Sequence, residues 1–482
     1  MSSVSSVLEH TTDGTTPARM RAVFDRQAAT ALRLRSSTAE ERVAKIKRLK
    51  QAVLDYKEKW HRAGQADYRK PQAEVDLTEI LPVVSEANDA IRHLKHWMRP
   101  KHVHASRALL GTRSRIEYQP RGCCLIISPW NYPVNLTFGP LISALAAGNT
   151  AILKPSEMTP QLSATMAKLI AEVFPEDEVA LFEGGAEVAS ALLDLPFDHM
   201  FFTGAPAIGK IVMAAAARHL SSVTLELGGR SPTIIEPDAK LRDAARNLMW
   251  SKFTNCGQTC IAPDHIYVHA SVQQAFLSEC RAALAQSYGR DAAGTHASPD
   301  YARIVNARHL TRVKTLLDDA RARGAQVLAG GAVDEHENYI APTLLGEVPD
   351  DARILDTEIF GPLLPIIPYH ELDDVIGKIN SGPKPLALYI WGRNRAHIDK
   401  LLRATSSGGA CINHSVVQFL HPGLPFGGVN NSGLGSSHGY YGFKTFSHER
   451  AVLRNVWAPT ALFAPPYSPR LRRLVRWLLK IV

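Results

Sequence analysis

Apolar residues recur at three- and four-residue steps at Val43, Ile46, Leu49, Val53, Tyr56 and Trp60, and the opposite face is mostly Lys, Arg and Glu. That period predicts an amphipathic helix, and Thr38 with Glu41 supplies a capping-box start. A second helical stretch is expected over roughly residues 76–98, running through Pro82 and stopped by Pro100. From about residue 115 the rhythm changes. Short apolar runs at 124–127, 150–153, 199–202 and 223–225 alternate with helical stretches that include 161–173 and 208–219. Strands taking turns with helices predict a parallel, doubly wound α/β sheet, with ligands held at the turns that end its strands. Beyond residue 260 a second series begins, with a strand over 265–268, a helix over about 272–285 and further alternation to about 410. A Gly-rich stretch over 425–442 then leads into the aromatic-rich 443–446.

The chain's 482 residues exceed what one core commonly serves, so two or more lobes are expected. With 45% hydrophobic and 21% charged residues the composition is that of a folded, soluble chain. A formal charge of +9 raises the question of nucleic acid. Lys and Arg are scattered apart from two terminal clusters, however, and neither zinc-finger spacing nor an RNP-type aromatic motif occurs, so no nucleic-acid partner is expected. Six cysteines without framework-like spacing or a secretory leader point to reduced thiols and a cytoplasmic location, and their spacing gives no metal site. Residues 1–20 read as a disordered end, and no run approaches the roughly 18 apolar residues of a membrane span. The tail places Leu471, Leu474, Val475, Leu478 and Val482 on one helical stripe opposite Arg473, Arg476 and Lys480. Such a segment is able to make peripheral contact with an anionic membrane, or to pack over a substrate entrance or a partner subunit.

The residues with chemical potential lie at the turns. Cys260 follows a Gly-Gln-Thr turn, where a thiolate would be a strong nucleophile toward a carbonyl carbon; the other reading of a lone cysteine is a small buried hydrophobe. Glu226 ends the fourth strand beside Gly228 and Gly229, with room to move, and in a partly dry pocket its pKa would rise as a general base requires. A structural ion pair is the alternative. Asn131, between Pro129 and Pro133, is suited either to donate to a developing oxyanion or simply to hold a turn. Gly204 and Gly209 stand between a strand and a helix, a junction where a pyrophosphate can reach N–H groups at the positive end of the helix dipole. Lys154 and Glu157 follow the second strand and are placed to hold a ribose diol or to cap the next helix.

In this order and at these spacings, the runs SPWNYP, AAGN, LKPSE, FTG-x-x-x-x-G, VTLELGG, GQTCIAPD, EIFGP and LPFGGV resemble the aldehyde dehydrogenase superfamily over roughly residues 25–455. The HWMRP segment at 96–100 and the GF-x-TFSH-x-R end at 442–450 are similar to its class 3 branch, in particular to coniferyl aldehyde dehydrogenases. The resemblance implies two doubly wound parallel-sheet domains joined by a bridging, oligomerisation arm. The dinucleotide-binding domain would comprise 21–110 and 123–227, the catalytic domain 228–410, the bridging segments 111–122 and 411–458, and an amphipathic tail 459–482. By the same resemblance Cys260 is the nucleophile, Glu226 the general base, and Asn131 with the Cys260 backbone N–H the oxyanion donors. Trp130, Lys154, Glu157, Thr203, Gly204, Gly209, Leu227, Glu358 and Phe360 would surround the cofactor. NAD is expected, because Glu157 would repel a 2′-phosphate, although class 3 relatives often accept NADP as well. A homodimer is expected on the same ground.

The implied reaction is oxidation of a lipophilic, coniferyl-type aromatic aldehyde to its acid through a thiohemiacetal and a thioester. Medium- or long-chain aliphatic and terpenoid aldehydes form the other substrate class. Tyr132, Phe253, Tyr440 and Tyr441 are expected pocket walls, or plain core. An acylating enzyme that passes the thioester to coenzyme A is disfavoured by Glu226, and a non-catalytic protein that kept the fold is the reading from a different class. Three positions depart from the family: Ala205-Pro206 where Ser-Thr is usual, Asn430-Asn431 in place of a Gly-containing pair, and His414 where an Asp is common.

Overall fold

The computed structural model describes residues 15–105, 109, 111–289, 292–457 and 464–480. The capping box forms: Glu41 N donates to Thr38 Oγ1 at 3.2 Å, and Thr38 N donates to the Glu41 carboxylate at 2.7 Å. The helix it opens, Ala39–Asp55, stops at Tyr56, and the continuing apolar period belongs to a separate helix, Lys57–Tyr68. Pro82 does not interrupt a helix. It stands in a helical run that continues from the π-helical turn Asp76–Ile80 into Leu81–Trp97, with Ile80 and Leu81 both in right-handed helical backbone, so the widened turn lies just ahead of the proline. One helix, Pro17–Leu34, begins inside the end expected to be disordered; Thr16 caps it, and Met20, Val23 and Phe24 bury one face against the first lobe. The rest of that expectation, residues 1–14, lies outside the described residues.

The first lobe is built on six strands in the order Gly433–Leu434, Ser222–Leu227, His199–Gly204, Cys123–Ile127, Thr150–Lys154, Val179–Leu181. All neighbours are parallel except the first pair. Alternate residues serve opposite cores: Cys124 and Ile126 face one, Cys123, Leu125 and Ile127 the other, as the two-residue period of a strand covered on both sides requires. The chain leaves Cys123–Ile127 in one direction and later returns to its other side at His199–Gly204. The crevice beyond these two strand ends is therefore the switch point at which open α/β sheets bind ligands. Ser128–Asn131 and the Gly204 turn border it.

The second lobe has seven strands in the order Gln326–Ala329, Thr343–Gly346, Leu363–Tyr369, His265–His269, Pro232–Ile235, Ala387–Trp391, Gly409–Ile412, parallel except at the first pair. Its last strand crosses the boundary expected at 410. The segment 411–458, expected to be bridging, also lends Gly433–Leu434 to the first sheet and the end of Gly409–Ile412 to the second. The arm itself is a three-stranded antiparallel sheet in which Thr112–Pro120 pairs with Lys101–Val103 on one side and along its whole length with Ser447–Asn455 on the other.

The helix Pro469–Leu478 is capped by Ser468, whose Oγ accepts from Leu471 N at 3.2 Å, and its Leu474, Val475 and Trp477 are exposed. The side chains of Leu478 and Val482, expected on the same stripe, lie outside the described ones. Among the described residues no helix is long and apolar enough to cross a membrane.

Candidate active site

Cys260 lies on the loop between helix Leu241–Phe253 and strand His265–His269. Three residues just before it, Asn255, Cys256 and Gly257, take left-handed backbone with φ of +55°, +55° and +73°. Such conformations are unfavourable for residues with a Cβ and persist only where the surroundings over-determine them. Here they do. Asn255 N donates to Glu74 Oε2 at 2.9 Å and its Nδ2 to Asn131 O at 2.9 Å. Gln258, fully buried, donates to Asn255 O and Arg303 O at 3.0 Å each and accepts from Val305 N at 2.9 Å. A Cβ on Gly257 would collide with Gly361 O, so glycine is required there by space as well as by φ. The Gly-Gln-Thr turn is thus a close approach, a buried latch and a hydroxyl, since Thr259 Oγ1 meets Tyr132 OH at 2.5 Å.

The neighbouring turn is fixed from below. Lys70 and Glu79 form a buried pair at 2.7 Å, and the second Glu79 oxygen accepts from Val134 N and Asn135 N at 3.1 and 3.0 Å, at the positive start of helix Pro133–Ala147. The Lys70 ammonium stands 4.3 Å from the centre of the Tyr132 ring, and Tyr68 OH donates to Asn131 O at 3.2 Å. Held in this way, Asn131 donates from Nδ2 to Gln258 O at 3.0 Å, which ties it to the Cys260 loop and leaves a second amide hydrogen on the same nitrogen. Nothing in the local sequence pattern singles out Tyr68, Lys70, Glu74 or Glu79, because they act on segments far along the chain.

Cys260 and Glu226 open onto one cavity of about 210 Å³. The surface it presents is mostly apolar, with Leu136, Phe201, Trp250, Phe419, Phe426 and Phe446 in its wall, and Glu86, Asn135 and His438 line it as well. Of the four aromatic walls expected, only Tyr132 is among them. Phe253 is buried in the second lobe's core, Tyr440 stacks on Phe443 and shares a hydrogen bond with Tyr118, and Tyr441 is exposed at the surface. Among the described side chains of helix Pro469–Leu478, none lines this cavity.

Burial pushes the Glu226 carboxyl up to about 8, against the pull of a hydrogen bond from Ser437 Oγ to its Oε1 at 2.9 Å. Burial also pushes the half-buried Cys260 thiol up to about 12, with the Glu358 and Glu226 carboxylates adding to the effect and the N–H groups of Cys260 and Ile261 opposing it. The thiol therefore rests protonated.

Around the switch point the residues present fit a dinucleotide. Helix Pro206–Ala217 starts without a side-chain cap or an acidic residue in its first turn, which keeps its positive end open to an anion. Gly209 packs on Leu227, where a Cβ would come within 2.8 Å of the leucine. A Cβ on Gly228 would displace Glu358, whose Oε1 accepts from Gly229 N at 3.0 Å. Burial, then the nearby Asp264, raises Glu358 to about 8. Phe360 has φ +42° and meets Trp130 edge-on at 5.4 Å; Arg312, not anticipated, fixes that turn by donating to the carbonyls of Glu358, Ile359 and Phe360 at 3.3, 2.8 and 3.0 Å. Lys154, buried at its strand end, reaches Glu157 at 3.1 Å. Thr203 and Leu227, expected beside the cofactor, also line the cavity that contains Cys260.

Residues 4–452 match the model of the aldehyde dehydrogenase family. The chain belongs to this family. It is similar to the 4,4'-diaponeurosporen-aldehyde dehydrogenase of Staphylococcus aureus, 41% identical over 432 residues covering 89% of this chain and 93% of that one. It is also 39% identical over 467 residues to a Caulobacter vibrioides protein named "Probable coniferyl aldehyde dehydrogenase", covering 94% and 95%. The solved substrate-bound state of Staphylococcus aureus AldH superposes with a TM-score of 0.90 at 38% identity, covering 95% of this chain and 99% of that one. This aldehyde dehydrogenase is an NAD(P)-dependent oxidoreductase acting on aldehydes. Two of its departures from the family pattern have local explanations. Pro206 occupies the first turn of its helix, where no N–H is missed, and Asn430 takes φ +55°, a conformation that asparagine tolerates better than most residues with a Cβ.

Proposed function

We propose that the enzyme oxidises lipophilic aldehydes, coniferyl-type aromatic aldehydes foremost, to carboxylic acids with NAD+ as acceptor. The observation that carries this reading is the joint presence of Cys260 and Glu226 in the wall of an apolar cavity. Cys260 passes its proton to water and its sulfur adds to the aldehyde carbon. The Cys260 N–H and the second Asn131 amide hydrogen stabilise the oxyanion, each donor of this kind being worth about 3 kcal/mol. Lys154, Glu157, the Gly204 turn and Glu358 would hold the dinucleotide at the switch point, where its oxidised nicotinamide would supply the acceptor for the hydride leaving the aldehyde carbon. Cys260 is then a thioester, and Glu226 takes a proton from the water that releases the acid.

The substrate class is tested by initial rates of NADH formation with coniferyl aldehyde, decanal and acetaldehyde. Burial of an aromatic or long apolar body is expected to raise kcat/KM at least about 100-fold over acetaldehyde, since each buried methylene is worth about 0.8 kcal/mol. Equal values for acetaldehyde and coniferyl aldehyde would refute a lipophilic preference, and a decanal rate well above that of coniferyl aldehyde would move the assignment to the aliphatic class. One relative's name specifies coniferyl aldehyde and another's the 4,4'-diaponeurosporen aldehyde, which supports both arms. NAD+ is favoured over NADP+ by the carboxylate of Glu157 beside Lys154.

The same reading includes peripheral contact with an anionic membrane through the C-terminal helix. Arg470, Arg472, Arg473 and Arg476 lie on it beside exposed Leu474 and Trp477, and the chain has no acidic residue after Glu449. The full chain is expected to pellet with phosphatidylserine vesicles and a chain ending at residue 457 to stay in the supernatant. Equal pelleting would end the idea.

A further inference from the structure

Resting on the reading of Glu226 as the base, we propose that Ser437 is its positioning residue: the Ser437 hydroxyl holds Oε1 and keeps Oε2 poised as the proton acceptor for water. The geometry is direct. Ser437 Oγ donates to Glu226 Oε1 at 2.9 Å, while Oε2 is buried without a protein partner. One carboxylate oxygen is therefore fixed and the other is left for a water proton.

The loop carrying Ser437 is held at both ends, which fixes the position of its hydroxyl oxygen; its single hydrogen has two acceptors in reach, and Glu226 Oε1 at 2.9 Å is nearer than Phe426 O at 3.3 Å. Upstream, Gly433 pairs with Glu226 itself across the sheet edge. At the centre, Ser437 N donates to Phe426 O at 2.6 Å and Ser437 O accepts from Phe426 N at 3.2 Å. Downstream, His438 takes φ +72°, and Glu86 secures it: Gly439 N donates to Glu86 Oε1 at 2.8 Å and His438 Nδ1 lies 3.5 Å from Glu86 Oε2. A strained residue next to a functional hydroxyl, restrained by a buried carboxylate, is how a scaffold imposes one side-chain direction.

The chemical need is equally specific. In an apolar cavity an unassisted carboxyl stays neutral, and a neutral acid cannot accept a proton from water. A hydrogen bond to its ionised form opposes that tendency. In the step concerned, the water oxygen bonds to the acyl carbon, its proton passes to Glu226 Oε2, the C–S bond breaks, and the Cys260 sulfur takes a proton back.

Rapid mixing of enzyme, NAD+ and aldehyde separates the first NADH turnover, which reports thioester formation, from the later rate, which reports its hydrolysis. Ser437→Ala is expected to keep the first turnover within about twofold, slow hydrolysis about tenfold at pH 7 and move the midpoint of its rise with pH upward by about one unit. Ser437→Thr should restore both, and Ser437→Ala should add nothing in a Glu226→Gln background. An unshifted midpoint in Ser437→Ala, with hydrolysis still blocked by Glu226→Gln, would overturn the role of Ser437 and leave the base in place. Wild-type hydrolysis in Glu226→Gln would instead overturn the base, and the role of Ser437 with it.

Discussion

Cys260→Ala is expected to lower aldehyde oxidation by at least about 10⁴-fold in kcat, because removing a covalent nucleophile removes the route itself and not an increment of binding. The apolar cavity and the switch-point residues are untouched by the change, so dinucleotide binding, followed by quenching of tryptophan fluorescence, should persist. Cys260→Ser should fare little better, since an alcohol is a far weaker nucleophile and far harder to deprotonate in the same dry wall. NADH formation by the alanine variant at the wild-type rate would mean that another atom attacks the aldehyde.

Glu226→Gln should slow steady turnover by about 10²- to 10⁴-fold while sparing a first turnover, because the amide cannot take a proton from water. The wild-type steady rate should climb as pH rises through about 8, where the buried carboxyl ionises, and the glutamine variant should lack that climb. The stability consequence has a definite sign. The folded pKa, about 8, lies above the ordinary 4.5, so between these values the folded chain binds a proton that the unfolded chain has lost. Stability conferred by that proton is complete below 4.5 and is lost as pH climbs through about 8. Thermal scans from pH 5 to pH 9 should therefore show the wild type losing more Tm than the glutamine variant. Identical slopes would contradict a raised Glu226 pKa.

Much of the architecture could be read from the chain because the relevant signals are local. Each predicted strand of the first sheet lies within an observed one, and Cys260, Glu226 and the Gly204 turn sit at strand ends or the loop the two-lobe pattern implied. What escaped the sequence is long-range. Phe253 ends a helix that sends Trp250 to the cavity and Phe253 itself to a core, and nothing local says which; Phe426 reaches the cavity from a stretch read for its glycines, and Phe419 from just ahead of it. Ser437 and Glu86 carry no motif of their own; the bonds that matter here, Ser437 to Glu226 and Gly439 to Glu86, each span more than 200 residues. The Lys70–Glu79 pair is close in sequence, yet its target, the start of helix Pro133–Ala147, is not.

The three left-handed residues ahead of Cys260 have a consequence for how the enzyme comes into being. Glu74 and Asn131, which clamp them, come from the N-terminal lobe, while Arg303 and Val305 come from the C-terminal one. Neither half alone can hold the sulfur in register, so during refolding the recovery of catalysis should trail the recovery of helical signal and report the moment at which the two halves lock together.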